Sequence, residues 1–244
     1  MAQKFNEMID YANTQDEGNN RDVLFSYIFG AMLHYCLDRV CHPFIYYRSG
    51  FDENGQLKEH AYYHALYESY IDHLMETNMG IRLKTKDCVK ANKAMIGLVS
   101  TMYANQENLE NDDFLNAWKD MKACEGFLND KHGIKRWLFR KLGMEISQPY
   151  SMIKPYKNDL HLDFLNLDRN SFKNPQSLEK SQHSFIELFN QAYIDTKNIV
   201  KILKRAYNKE DVSMEIVSYC DDINYNGVKE NTVMIEYQSI FNNK

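Results

Sequence analysis

The sequence of 244 residues is poor in the residues that interrupt helices, since it holds only 4 prolines and 10 glycines. A β-sandwich of this size needs many tight turns, and proline and glycine supply most of them. The composition therefore argues against a many-turned sandwich and favours long helices. With 44% hydrophobic residues, 17 tyrosines and 13 phenylalanines, the chain can bury a sizeable core in one domain.

Three further absences narrow the class of protein. The 5 cysteines are odd in number and include no CxxC pair, so no disulfide framework is expected and a reducing compartment is favoured. A net charge of -5 indicates no field that would recruit nucleic acid or an anionic membrane. The sequence shows no long apolar run and no apolar signal-peptide segment. We therefore predict a cytoplasmic chain without a transmembrane segment, or a secreted one if a longer precursor exists.

Two runs of metal-ligand side chains are the most informative feature that is present. They read H-x3-D-x3-H and H-x3-H-x3-E-x3-D, and their members are His34, Asp38, His42, His60, His64, Glu68 and Asp72. Four residues turn an α-helix by about 400° and advance it by about 6 Å, so each run lines one stripe of a helix. Two such stripes facing each other would form a site for a hard or borderline cation.

Apolar residues at helical spacing predict helices that begin near residues 21, 57, 87, 112, 135 and 183. The first is expected to end or kink at Pro43, because proline disfavours the α conformation in the residue before it. Gly80 is expected to terminate the second. The tail from Val212 is ambiguous, and Asn226-Gly227 is compatible with a hairpin there.

The pattern as a whole predicts an all-α protein, a multi-helix bundle with irregular loops and an irregular C-terminal segment. We expect a single domain over residues 1–244, and nothing in the sequence indicates the number of subunits. Its expected parts are a polar leader (1–20), metal-ligand helices and core (21–142), a long loop (143–180) and a closing helix with a tail (181–244).

The ligand types limit the chemistry of the clustered residues. Imidazole and carboxylate without nearby cysteine pairs suit zinc in a hydrolytic site, with manganese or iron as the other options. The H-E-x-x-H helix of zincins and the Glu-x-x-His order of di-iron bundles are both absent. Asp38 and Glu68 fall beside apolar helix positions, where an unpartnered carboxylate is costly and a shared metal would resolve that cost. An isolated histidine at such a place would be a satisfied core or boundary residue.

Two segments carry a likeness to a known family. The stretch FSYIFGAMLHYCLDRVCHPFIYYRSG, followed by YYHALYESYID, holds H-x3-D, a second histidine in a C-H-P context and then H-x3-E. This set resembles the zinc-dependent phospholipase C family, which is related in fold to the S1/P1 nucleases. The downstream segments FLNLDRNSFKNP and SFIELFNQA are also similar to that family, so the resemblance covers most of the chain from about Leu24 onward.

The resemblance implies roles for five of the clustered residues. His34 and Asp38 would bind one zinc ion, with Asp38 bridging to a further ion and serving as the candidate catalytic carboxylate. His42, His64 and Glu68 would hold another ion, in a family whose members bind up to three.

Two neighbours of these residues remain alternatives. His60 lies one helical turn before His64 and competes with it as a ligand, although the H-x3-E pattern favours His64. Asp72 lies one turn past Glu68. It either accepts a hydrogen bond from a metal-binding side chain and so orients it, or it is an exposed carboxylate on the helix surface.

The function implied by the resemblance is hydrolysis of a phosphodiester, either a small molecule or a phospholipid, by zinc and without a protein nucleophile. The family also carries ligands in an N-terminal portion, whereas this sequence has no histidine before His34. We therefore expect one complete zinc site and other sites that lack ligands, as in a truncated member. This leaves two hypotheses, an active hydrolase or a metal-stabilised helical module without turnover.

Overall fold

The computed structural model describes residues 1–80, 91–107, 110, 112–130, 133–143, 153–230 and 232–241. Within these residues the chain forms eight α-helices, two short 3-10 helices and one two-stranded antiparallel sheet. The predicted all-α fold is therefore confirmed. No helix in the described part of the chain is both long enough and apolar enough to span a bilayer.

The helices are numbered in chain order. They are α1 (Ala2–Thr14), α2 (Asn19–Ser49), α3 (Ala61–Met79), α4 (Lys93–Glu107), α5 (Asp113–Leu128), α6 (Ile134–Lys141), α7 (Phe185–Tyr207) and α8 (Ser213–Cys220). The 3-10 helices are Lys58–His60 and Lys157–Asp159. The sheet pairs β1 (Phe172–Lys173) with β2 (Lys180–Ser181), with Phe172 opposite Ser181.

The chain divides into two compact units. The first unit comprises Met1–Val40, Lys90–Met121 and Phe189–Asn231. The second unit comprises Cys41–Val89, Lys122–Leu188 and Thr232–Lys244. Each unit has its own buried side chains, which are described separately below.

The core of the first unit is built largely from helix faces. Its buried members come from α1, α2, α4, α7 and α8 and from Val212, the residue before α8. The segment expected to be a polar leader forms α1, and its apolar residues recur at i, i+3, i+4 and i+7, the spacing of one helix face. These buried residues are Phe5, Met8, Ile9 and Ala12.

The core of the second unit is aromatic. Its rings meet mostly edge to face or tilted at centroid distances of about 5–6 Å, the arrangement that aromatic pairs prefer. The buried rings include Phe44, Tyr67, Phe164, Phe172, Phe185 and Phe241. Buried Arg48 donates to the Asn166 side-chain oxygen at 2.9 Å and to the Asp163 carbonyl at 2.6 Å, which ties the end of α2 to the loop segment.

Helix α2 continues through Pro43 to Ser49, so of the two expected outcomes, an end or a kink, the end at Pro43 is wrong. Proline inside a helix costs about 3 kcal/mol, because it lacks an N–H and crowds the preceding turn. Burial of each large side chain stabilises by about 1.5–3 kcal/mol, so several of them outweigh that cost. The residues directly after the proline are all buried, and they are Phe44, Ile45, Tyr46 and Tyr47.

The remaining helix predictions largely agree with the structure. Gly80 ends α3 with a left-handed φ of 64°, as a terminating glycine does. The predicted start near residue 87 lies outside the described residues. The tail is more ordered than expected, because it contains α8 and an antiparallel bridge between Ile223 and Lys229 around the Asn226-Gly227 turn.

Candidate metal centre

Three side chains of the second unit bring their donor atoms together. His42, His64 and Glu68 each offer one atom, and these atoms lie within 4.8 Å of one another. The Glu68 Oε1 atom is 3.2 Å from Nε2 of His42 and 3.2 Å from Nε2 of His64. Among the described residues, no other group of three or more such ligands is as close.

Local helix geometry explains how the three donors meet. His64 and Glu68 are four residues apart on α3, so they project from the same helix face. His42 comes from α2, and its ring centroid lies 5.4 Å from that of His64. The histidine side chains are 14% and 9% exposed, whereas Glu68 is 40% exposed, so the group is open on the carboxylate side.

The side chains behind the histidines fix their orientation. Tyr46 is buried, and its ring centroid lies 4.7 Å from the His64 ring and 5.6 Å from the His42 ring. The fully buried Ser49 places its Oγ atom 3.4 Å from Nδ1 of His64. When Nδ1 carries the proton, it donates to Ser49 and leaves the Nε2 lone pair directed at the group.

The charge of the group suits a cation. Burial alone would raise the pKa of Glu68, but hydrogen bonds and positive charge from His42 and His64 lower that pKa to about 2. The carboxylate is therefore ionised at neutral pH. Zinc binds such donors at about 2.0–2.2 Å, and a tetrahedron of that size separates ligand atoms by about 3.4 Å. The two 3.2 Å separations at Glu68 are close to this value.

His34 and Asp38 form a pair in the first unit. Nε2 of His34 is 2.8 Å from Oδ2 of Asp38, one turn along α2. The His34 side chain is 68% exposed and its ring packs edge-on against Tyr225 at 5.6 Å, while Asp38 is 15% exposed. In the described part of the first unit, no third ligand joins this pair within the distance that defines the centre above.

The two alternative residues of the second unit are not part of the three-residue group. His60 lies in the 3-10 helix beside Gly50, and its ring packs against Tyr237 at a centroid distance of 5.4 Å. Asp72 is on the exposed side of α3, one turn past Glu68. Partial desolvation and the negative charges of Glu68 and Glu125 raise the pKa of Asp72 to about 6.

Sequence reasoning did not single out Tyr46 and Ser49. A signal for them exists, because they follow His42 by four and seven residues and so share its helical stripe. The expectation of a helix end at Pro43 concealed that stripe.

Comparison with protein families gives one match over the part of the chain that carries this centre. Residues 1–121 match the family described as zinc dependent phospholipase C. Comparison with curated proteins and with solved structures gives no match. The matched residues include all three members of the group and also the His34–Asp38 pair.

Proposed function

The chain belongs to the zinc-dependent phospholipase C family, and on that premise we propose that it is a zinc-dependent phosphodiester hydrolase. In this proposal His42, His64 and Glu68 hold one zinc ion. The observation that carries it is the convergence of two imidazoles and one ionised carboxylate at 3.2 Å. Three protein donors with a remaining open position are typical of a catalytic rather than a structural zinc site.

The residues of the group have distinct roles in this proposal. Glu68 supplies negative charge that offsets part of the ion's charge, and its exposed side is where a phosphate oxygen can approach. Ser49 holds the proton of His64 at Nδ1, and Tyr46 excludes water from behind both rings. Zinc, when bound, supplies Lewis acidity that activates water and stabilises charge on the phosphate.

The His34–Asp38 pair is proposed to serve a further ion of the family's set, with Asp38 as the candidate catalytic carboxylate. The 2.8 Å approach of the two side chains and the low exposure of Asp38 support this role. The proposed substrate is a phosphodiester, and the family description favours a phospholipid.

Hydrolysis of a chromogenic nitrophenyl phosphodiester by the zinc-loaded chain tests the proposal. We expect turnover that is lost with EDTA, restored by zinc, and abolished in His64→Ala. The matched control is His161→Ala, a histidine of the second unit that the proposal does not use. A zinc-loaded wild-type chain without turnover on this diester or on phosphatidylcholine would favour the metal-stabilised helical module instead. The observation that favours this second function is that, among the described residues, His34 and Asp38 have no third ligand within the distance that defines the centre.

A further inference from the structure

Helix α6 in the second unit turns its apolar residues toward solvent. Ile134, Trp137 and Leu138 follow the i, i+3, i+4 spacing of one helix face, and they are 65%, 62% and 47% exposed. Leu142, directly after the helix, continues this face and is 62% exposed. We call these four residues the α6 apolar face. A surface helix of a globular protein normally buries such a stripe, so α6 is inverted.

The inversion is fixed by contacts of the residues on the other side of α6. The Lys135 ammonium donates to the carbonyls of Gly126, Phe127 and Asn129 at 3.0, 2.8 and 3.2 Å, which satisfies the C-terminal end of α5. These contacts hold the Lys135 side of α6 against the protein, so the opposite, apolar side is directed to solvent.

The start of the helix is fixed as well. The Asp130 carboxylate accepts the backbone N–H groups of Lys135 and Arg136 at 3.1 and 2.9 Å. The Arg136 guanidinium lies over the Tyr156 ring at 5.1 Å. The orientation of α6 is therefore fixed by specific contacts within the second unit.

The charge of α6 selects the class of partner. The sequence IKRWLFRK holds four basic residues and no acidic residue, although the whole chain carries -5. Lys141 lies on the exposed side with the apolar face. A short helix with an apolar face, a tryptophan and flanking cations is typical of segments that lie in the interface of an anionic bilayer.

We propose that the α6 apolar face docks the protein on an anionic phospholipid surface, lying on the membrane rather than crossing it. This inference deepens the proposed function and rests on it for the identity of the substrate, because a phospholipase must reach its substrate at such a surface. The net charge of the chain did not indicate this, because four of its 29 basic residues lie together on one short helix without an acidic residue.

A second copy of the chain is the other occupant to consider. A two-fold contact would place the same face of both copies together. Lys141 lies with this face in each copy, so the contact would bring like charges together, which opposes association. An anionic lipid surface satisfies both the apolar side chains and this charge.

Tryptophan fluorescence tests the docking directly, since the chain holds only two tryptophans. In Trp118→Phe the remaining emission comes from Trp137. The probe is a titration with phosphatidylglycerol vesicles, and with phosphatidylcholine vesicles for comparison, in EDTA so that no turnover occurs. We expect a shift of the emission to shorter wavelength and tighter binding to the anionic vesicles.

Variants on the same Trp118→Phe background locate the contact. Ile134→Ser together with Leu138→Ser is expected to weaken binding by about tenfold or more, because each side chain loses its apolar burial. Lys141→Glu is expected to weaken binding to anionic vesicles by about tenfold and to leave phosphatidylcholine unaffected. Ile235→Ser is the matched control, because Ile235 is 63% exposed outside α6.

Absence of vesicle binding, or equal weakening by the Ile134→Ser/Leu138→Ser double variant and by Ile235→Ser, would overturn the docking proposal. Self-association lost in Leu138→Ser, with no vesicle binding, would assign the face to a second copy and also overturn it. Turnover of a soluble diester without vesicle binding contradicts the docking alone. Vesicle binding in a chain that hydrolyses no diester supports the docking and contradicts the proposed function.

Discussion

The two candidate ligand sets differ in what holds their side chains. His34 and Asp38 lie on one helix of the first unit, and His34 is 68% exposed. His42, His64 and Glu68 come from two helices in the second unit, and both histidine side chains are at most 14% exposed. The first set brings two side chains together, whereas the second set directs three donors at one place.

This difference shows what four-residue spacing can and cannot provide. Spacing on one helix brings two side chains together, and many helices carry such pairs without a metal. A third donor has to come from another element, here α2 facing α3, and the imidazoles need support from behind. Ser49 and Tyr46 give that support to the second set.

The largest expected effect is loss of a ligand from one set but not from the other. Glu68→Ala removes the carboxylate shared by both histidines, so its zinc affinity should fall by more than the 10–100-fold typical of residues behind a ligand. Asp38→Ala should leave that affinity unchanged. Competition with a chromophoric chelator measures both. Unchanged zinc affinity in Glu68→Ala would mean that the centre does not depend on this carboxylate, and an equal loss in Asp38→Ala would mean that the two sets are not independent.

The next effect concerns the aromatic support. Tyr46 is buried against both histidine rings, so Tyr46→Ala should lower the free energy of unfolding by about 3 kcal/mol and also weaken zinc binding. Tyr225→Ala, which removes the ring beside His34, should leave zinc binding unchanged. Denaturant unfolding and zinc titration are measured on the same samples, with Tyr46→Phe as the conservative control. Full zinc affinity in Tyr46→Ala would show that the ring only packs.

A smaller effect is expected from the hydroxyl behind His64. Ser49→Ala removes the hydrogen bond to Nδ1 and should weaken zinc binding by about tenfold, because the tautomer and ring orientation are less restricted. Ser26→Ala is the matched control on the same helix, where the hydroxyl bonds only to the Asp22 carbonyl in the described contacts. If both serine variants bind zinc like the wild type, the proposed support by Ser49 is wrong.

The smallest expected effect is on stability at low pH. It tests whether acid weakens the second unit through a contact outside the metal centre. Glu187 closes a capping box with Ser184 and pairs with Arg169, and these contacts lower its pKa from 4.5 to about 2. Its contribution is therefore present above pH 4.5 and is lost as pH falls toward 2. Glu187→Gln should flatten the stability profile of zinc-free protein in that window without changing zinc affinity at pH 7. If Glu187→Gln leaves the pH dependence of stability unchanged, the capping box does not contribute to acid sensitivity.

Much of the fold follows from local sequence signals. Helix positions were predictable from apolar spacing, and Gly80 marked the end of α3. The continuation through Pro43 was not predictable, because it depends on burial of aromatic side chains that only the tertiary structure reveals. Helix α1 was not predicted, because polar residues interrupt its four buried apolar residues.

The candidate site, too, was partly predictable from the sequence and partly dependent on the tertiary structure. Residue types and spacing singled out seven residues, and the resemblance to the family implied His42, His64 and Glu68 as one ligand set. The structure brings these three together. The choice between His60 and His64 as neighbour of Glu68 depends on the start of α3, because His60 falls in the preceding 3-10 helix. Spacing alone does not reveal such a boundary.

The zinc content of the chain tests the central claim most directly. The protein is washed with chelator, reloaded with zinc, dialysed and submitted to elemental analysis, together with His64→Ala and His34→Ala. We predict one tightly held zinc ion per chain in the wild type, retained in His34→Ala and lost in His64→Ala. A wild-type chain without zinc, or a His64→Ala chain that keeps its ion, would contradict the assignment of His42, His64 and Glu68 as the metal centre.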